Sequence, residues 1–140
     1  MIEYTVKVTD NGDRRWYLNG NLHREDGPAV EWASGNIEWW LNGNLHKVDG
    51  PAITWEDGST FWYLGGNLHR ENGPAVVYVN GTTEWLLHGL RHREDGPAIE
   101  DANGNKFWFL HGVEVTKADV MKLRCPDVIE INGVKYKRMC

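Results

Sequence analysis

The chain has 140 residues and a net charge of −5, so one small acidic domain is expected. Nucleic-acid binding needs clustered Lys and Arg, which the overall charge does not favour, although residues 116–140 carry six basic and three acidic side chains. No run of the sequence approaches the roughly 20 successive apolar residues of a membrane helix. Its two cysteines, Cys125 and Cys140, give no disulfide framework and no zinc-site spacing. We therefore expect a cytoplasmic protein that binds neither nucleic acid nor membranes.

The first predicted element is a strand over residues 2–8. Apolar and polar residues alternate there, with Ile2, Tyr4, Val6 and Val8 on one side. The segment lacks the apolar core of a signal peptide. We interpret it as the N-terminal cap of the repeats that follow.

From residue 12 onward the sequence repeats with a period of 23 residues. Each period contains a tryptophan, a leucine two positions later and two glycines. The tryptophans are Trp16, Trp39, Trp62, Trp85 and Trp108. Four periods also contain a histidine phrase, which is "LHREDGPA" at 22–29 and recurs in variant form at 45–52, 68–75 and 91–98.

Each unit is predicted to contain two short strands. Strand A is the aromatic segment "EWWL" (38–41) and its equivalents. Strand B is "PAITW" (51–55) and its equivalents. Strand B begins with proline, at a position where no backbone N–H is needed to pair with the neighbouring strand. The short glycine-containing link from B to A predicts a hairpin. In the longer link from A to B, the residue before the fixed glycine is one that tolerates positive φ. These residues are Asn19, Asn42, Gly65, His88 and His111, so we interpret the two histidines as turn residues.

The pattern changes after Gly112. Thr116 and Asp119 resemble a capping box, which predicts a helix that ends at Pro126. Asn132-Gly133 then predicts a terminal hairpin. We expect a repeat domain over residues 1–115 and a helix-plus-hairpin cap over residues 116–140. The predicted fold is mainly β: an elongated antiparallel sheet of about ten strands with a small C-terminal helix and hairpin.

The combination of "WYLNG" with "HREDGPA" resembles the MORN (membrane occupation and recognition nexus) repeat, especially divergent MORN-like repeats of uncharacterised bacterial and phage proteins. The resemblance covers about residues 10–115 and implies stacked hairpins in one long sheet. Its lipid-binding role fits poorly with this chain, because residues 1–115 carry nine basic and 17 acidic side chains.

The repeated histidine raises the question of metal binding or catalysis. Two strands per unit place equivalent residues about 10 Å apart, whereas zinc needs ligands at about 2 Å. The repeat units are also nearly identical, so none of them provides a single distinct site with a nucleophile beside a base. We therefore predict no enzyme activity, no metal and no cofactor. The residue before each Gly-Pro is Asp26, Asp49, Asn72 or Asp95, as in a turn held by its own side chain.

Two rows of residues are candidates for partner binding. The first is large and apolar in every unit, and an apolar row on an open sheet face is typical of an interface. This aromatic row contains Tyr17, Trp40, Tyr63, Leu86 and Phe109. The second is a polar row in which Arg or Lys supplies donors for carboxylate or phosphate. It contains His23, Arg24, His46, Lys47, His69, Arg70, His92 and Arg93.

The sequence thus favours a non-enzymatic protein-interaction module that displays these two rows to a protein partner or to a second copy of itself. The resemblance to phage proteins extends this hypothesis to the inhibition of a host factor, such as a defence enzyme. The alternative is a glycan, cell-wall or small-ligand module with aromatic pockets, since "WYLNG" faintly resembles choline-binding hairpins.

Overall fold

The structure is a computed structural model and describes residues 2–124 and 128–137. It is mainly β, with one α-helix, α1 (Lys117–Arg124). The strands of the first half are β1 (Thr5–Val8), β2 (Arg14–Leu18), β3 (Asn21–Leu22), β4 (Val30–Glu31), β5 (Ile37–Glu38), β6 (Trp40–Leu41), β7 (Asn44–Leu45), β8 (Ile53–Thr54), β9 (Thr60–Phe61), β10 (Tyr63–Leu64) and β11 (Asn67–Leu68). Those of the second half are β12 (Val76–Val77), β13 (Thr83–Glu84), β14 (Leu86–Leu87), β15 (Leu90–Arg91), β16 (Ile99–Glu100), β17 (Lys106–Leu110), β18 (Val113–Val115), β19 (Val128–Ile131) and β20 (Val134–Lys137).

Most of the chain forms one long antiparallel sheet. Its strand order is β1-β2-β4-β5-β8-β9-β12-β13-β16-β17-β18, with β3 attached to β2. The strands of this sheet follow one another in chain order, because each 23-residue unit adds one A and one B segment in turn, and the hairpins β6–β7, β10–β11 and β14–β15 lie between them in sequence. The predicted elongated sheet of hairpin repeats with a small C-terminal helix is confirmed.

The strands are shorter and more numerous than the sequence suggested. In the inner units, strand A is interrupted at its tryptophan, so that β5 and β6 flank Trp39. The amide of Trp39 donates to the carbonyl of Ala52 in the main sheet, while its carbonyl accepts from the amide of His46. The predicted long link also contains a third strand, which is β7 in this unit. Each tryptophan therefore joins two hydrogen-bonded ladders.

The second ladder, here called the hairpin row, consists of stacked two-residue hairpins. The pairs are β2–β3, β6–β7, β10–β11, β14–β15 and β17–β18. Successive hairpins are joined by backbone bonds such as Gly43 N–H to the Leu22 carbonyl at 2.9 Å and Arg24 N–H to the Trp40 carbonyl at 3.1 Å. Each unit thus contacts the next through both ladders.

The hairpin turns have the predicted backbone geometry. Asn42 has a φ of 50° and Gly43 a φ of 80°, as a type I′ turn requires at its two central positions. His88 and His111 occupy the same turn position with φ values of 49° and 50°. Their interpretation as turn residues is confirmed.

The two ends differ from the inner units. At the N-terminus, β1 pairs with β2, which confirms most of the predicted cap strand. At the other end Thr116 and Asp119 form a reciprocal capping box, with the Asp119 amide donating to Thr116 Oγ1 at 3.2 Å. The hairpin β19–β20 turns at Asn132-Gly133 as predicted. Pro126, the predicted end of the helix, lies outside the described residues.

The core is thin, as in a single sheet. Its most regular members are the alanines after Gly-Pro, which are all 0% exposed. They are Ala29, Ala52, Ala75 and Ala98. In the middle of the molecule Phe61, Val76 and Leu86 are also buried and pack with half-buried Tyr63. The fold therefore buries a narrow central stripe and leaves both faces partly accessible.

Candidate functional site

The repeated histidines hold the hairpin row together. Nδ1 of His23 accepts a hydrogen bond of 2.9 Å from the amide of Asn42, the first turn residue of the next unit. His46, His69 and His92 make the same bond to Gly65, His88 and His111. Each histidine thus satisfies a turn amide that has no partner within its own hairpin. The bond runs from a backbone amide of one unit to the imidazole of the preceding unit, so it joins neighbouring units.

The other ring nitrogen faces a glutamate in three of the four units. Because Nδ1 accepts, the ring proton resides on Nε2, which lies 3.4 Å from Glu25 Oε1 in the first unit and 3.3 Å from Glu94 Oε1 in the fourth. His23, His69 and His92 are only 5–7% exposed. The histidines of the first, third and fourth units are therefore committed to the architecture through Nδ1 and present little surface to a partner.

The cations of the polar row stack on the tryptophans. Arg24 lies 4.1 Å from the ring centre of Trp16, and Arg70 lies 3.9 Å from that of Trp62. Lys47 on Trp39 and Arg93 on Trp85 repeat the arrangement at 4.1 and 3.9 Å. Each contact joins a strand A tryptophan to the histidine phrase of its own unit, so the long loop folds over the tryptophan face.

The same arginine closes its loop. Arg24 Nε donates to Asp26 at 3.0 Å and Nη1 donates to the carbonyl of Pro28 at 3.2 Å. A Cβ at Gly27 would lie only 2.7 Å from the guanidinium carbon, so any other residue there would displace the arginine from this position. Arg93 repeats both bonds. This contact explains why Arg, Asp and Gly recur together in the phrase.

Three clefts lie in a line between successive histidine phrases. They have similar volumes of about 550, 460 and 510 Å³. The floor of each contains a tryptophan and the leucine two residues later, and the walls are formed by two neighbouring phrases. The floors are Trp39 with Leu41 in the first cleft, Trp62 with Leu64 in the middle cleft and Trp85 with Leu87 in the last cleft.

The clefts differ in charge. The first and the last are each lined by two cations and three carboxylates, whereas the middle one is lined by two cations and one carboxylate. Val48 and Asn72 occupy positions where other units carry Glu and Asp, and the middle cleft is lined by both, whereas the first is lined only by Val48 and the last only by Asn72. In addition, Asp49 lines the first cleft but not the middle one. Val48 is 75% exposed and lines both the first and the middle cleft, so an apolar side chain stands at the rim that these two clefts share.

The exposed groups of the phrases are the acids. Side chains of Glu25 and Asp26 are 60% and 80% exposed, and those of Glu71 and Glu94 are 77% and 67% exposed. Those of Arg24 and Arg93 are only 21% and 23% exposed. The histidine phrases thus present their carboxylates to solvent more than the arginines of the polar row.

The aromatic row lies on the opposite face of the sheet. Tyr17 pairs with Leu22, so the flanking Trp16 and His23 point the other way. The two predicted rows therefore do not form one surface. Tyr17, Trp40, Tyr63 and Phe109 are half-buried, and Leu86 is buried at 6% exposure.

Several contacts fix the aromatic row in place. Trp40 Nε1 donates to Glu38 at 3.2 Å, and Tyr63 packs against the central core cluster. Burial raises the pKa of the Tyr63 hydroxyl, with smaller contributions from Tyr78 and Glu38. Arg91, which replaces the leucine of the other phrases, lies 5.6 Å from the ring centre of Phe109 and pairs with Glu84 at 3.1 Å.

The sequence did not predict the clefts, although it contained one signal for them. Arginine or lysine lies eight residues after each of the periodic tryptophans Trp16, Trp39, Trp62 and Trp85, and this is the cation that stacks on the ring. Within residues 2–124 and 128–137, no group of three His, Cys, Asp or Glu side chains is placed to hold a metal ion. No helix in that part of the chain is long and apolar enough to cross a membrane.

Comparison with known proteins adds no identification: no family model matches the chain, and no curated protein matches its sequence. The resemblance to MORN-like repeats stays a prediction.

Proposed function

We propose that the protein is a non-enzymatic interaction module that binds a protein partner along its line of clefts. The observation that supports this is the threefold repetition of a cleft with a Trp-Leu floor and charged walls on one face. Tryptophan and arginine are enriched among the residues that dominate protein interfaces.

The rigidity of the cleft walls supports the same proposal. The histidine bonds tie each phrase to the next hairpin, and the cation stacks tie it to its own tryptophan. A surface that is already ordered loses little conformational entropy on binding. Inhibition of a host factor by a phage-type protein is the more specific form of this proposal, and it rests on the resemblance alone.

The test is affinity capture from lysate with a cleft variant and a matched surface variant. Glu71→Arg reverses a charge that lines the middle and last clefts, at a side chain that is 77% exposed. Asp10→Arg makes the same charge change in the exposed turn between β1 and β2, away from every cleft.

We expect mass spectrometry to identify a protein captured by the wild type and by Asp10→Arg but lost with Glu71→Arg. Equal capture by both variants would remove the clefts from the proposal. Recovery of the bait alone would instead favour association of two copies across the aromatic face.

A small-ligand or glycan module is the second candidate, because a cleft of about 500 Å³ is large enough for such a ligand. A cage for quaternary ammonium would need open tryptophan faces, whereas each of these tryptophans is stacked by its own cation. Quenching of tryptophan fluorescence by cell-wall fragments, with no capture of a protein, would favour this candidate.

A further inference from the structure

We propose that the three clefts together bind one extended protein segment that carries a basic, an apolar and a second basic side chain at every third residue. The proposal rests on the interaction function above and names the partner's chemistry. It is carried by the spacing of the clefts and by the difference in charge between them.

The distance between successive clefts determines how many residues of the partner segment separate one contact from the next. Each unit adds two antiparallel strands to both ladders, so equivalent cleft residues are displaced by about 9.6 Å. Three residues of an extended strand span about 10 Å, and one three-residue turn of a polyproline II helix spans about 9.3 Å. An α-helix rises 1.5 Å per residue, so the displacement of about 9.6 Å corresponds to about 6.4 residues, whereas one face of a helix recurs every seven residues, or about 10.5 Å. An extended segment therefore places every third side chain in a cleft.

The outer clefts favour basic side chains. Each has net charge −1 with histidine neutral, and the most accessible charges at the first are Glu25 and Asp26, with side chains 60% and 80% exposed. At the last cleft, Glu71 and Glu94 are exposed in the same way. A Lys or Arg that enters such a cleft packs its methylene groups against the leucine of the floor and places its charge among these carboxylates.

The middle cleft favours an apolar side chain. Its lining has net charge +1, which opposes a cation, and its single carboxylate is Glu71. Val48 adds an apolar side chain to the wall that the middle cleft shares with the first. The order of preferences along the row is thus basic, apolar, basic. Because this order is symmetrical, the direction of the bound segment is left open.

The test uses four synthetic peptides and fluorescence anisotropy with the full chain. The matched peptide has the core Lys-Pro-Pro-Leu-Pro-Pro-Lys, in which proline favours the extended polyproline II conformation. The second replaces both lysines by glutamate, the third replaces the leucine by lysine, and the fourth inserts one more proline in each spacer.

We expect the matched peptide to bind at least about tenfold more tightly than each of the others, which corresponds to about 1.4 kcal/mol. Val48→Glu supplies the specificity test, since units one, three and four already carry glutamate at this position. In this variant, the peptide with leucine at its central position should no longer bind more tightly than the peptide with lysine there, or the order of the two affinities should be reversed. Circular dichroism should remain that of the wild type, because the valine side chain is exposed.

Equal affinity for the matched peptide and for the peptide with one more proline in each spacer would overturn this inference. So would the absence of binding of the matched peptide at about 1 mM. So would an unchanged preference in Val48→Glu. Capture of a protein that depends on Glu71 would still support the interaction function in those cases. Capture that is independent of Glu71 would count against both proposals.

Discussion

At the scale of single residues, the histidine phrase is a set of structural contacts. His69 supplies an acceptor to the His88 amide at 2.9 Å, Arg70 covers Trp62, and Gly73 leaves room for the guanidinium. Each residue type is needed for a different reason: imidazole for a buried acceptor, arginine for a flat cation with several donors, glycine for close approach. The repetition of the phrase follows from the repetition of these contacts.

The histidine acceptor can be tested at His69. His69→Leu leaves the His88 amide without its partner, and we expect the free energy of unfolding to fall by about 1–3 kcal/mol. His69→Asn is the matched variant, because its side-chain oxygen can occupy the place of Nδ1 and accept from the same amide. It should therefore lose less stability than the leucine variant.

Urea denaturation followed by tryptophan fluorescence measures both variants. A leucine variant as stable as the asparagine variant would show that burial of the ring, and not its acceptor, matters at this position.

At the scale of elements, the repeat unit is a strand shared between two ladders. The tryptophan is its junction, since its amide bonds to the main sheet and its carbonyl to the hairpin row. Period and turn residues were enough to predict the B-to-A hairpin, the type of residue in the A-to-B turn and the C-terminal hairpin. The third strand was missed because Asn44-Leu45 is only two residues long and has no periodicity that a pattern could reveal.

The capping box of α1 predicts a pH dependence. The Thr116 amide and hydroxyl both donate to Asp119, and the backbone hydrogen bond is the main reason why the pKa of Asp119 lies below its ordinary value of 3.8. A lowered pKa means that this carboxylate stabilises the helix above pH 3.8 and that the contribution is lost as the pH falls through the pKa of the folded state.

We expect Cα chemical shifts of the first turn of α1 to move toward coil values as the pH is lowered from 6 to about 2. In Asp119→Asn the same shifts should start closer to coil values and change little with pH. An identical pH response in this variant would assign the transition to other carboxylates.

At the scale of the whole molecule, stability comes from contacts between neighbouring units. The histidine bonds, the hairpin-row bonds and the strand pairs each join one unit to the next. A repeat protein of this kind behaves approximately as a sum of units and interfaces. The same regularity produces the row of clefts, because each pair of neighbouring phrases encloses one.

Removal of one complete unit tests this description. Deletion of residues 47–69 joins His46 to Arg70 and keeps the phrase in register. We expect a folded chain that is shorter by about 10 Å in small-angle X-ray scattering and less stable to urea, because one interface between units is lost.

Deletion of 12 residues from the same region is the matched control, since it breaks the register and should prevent cooperative unfolding. If the chain without residues 47–69 unfolded with as little cooperativity as this control, the units would not be interchangeable.

The sequence by itself determined the period, the antiparallel hairpins, the turn residues and the two different ends of this protein. These follow from local chemistry: glycine and asparagine permit positive φ, proline removes a donor, and alternation assigns side chains to faces. Only the tertiary structure decided what the histidines and arginines contact, that the aromatic and polar rows lie on opposite faces, and that three clefts form. Those features depend on residues 19 positions apart or on the fold of a long loop, for example His23 with Asn42 and Arg24 with Trp16. A linear pattern shows that such residues recur, but the distance between them is set only when one unit stacks on the next.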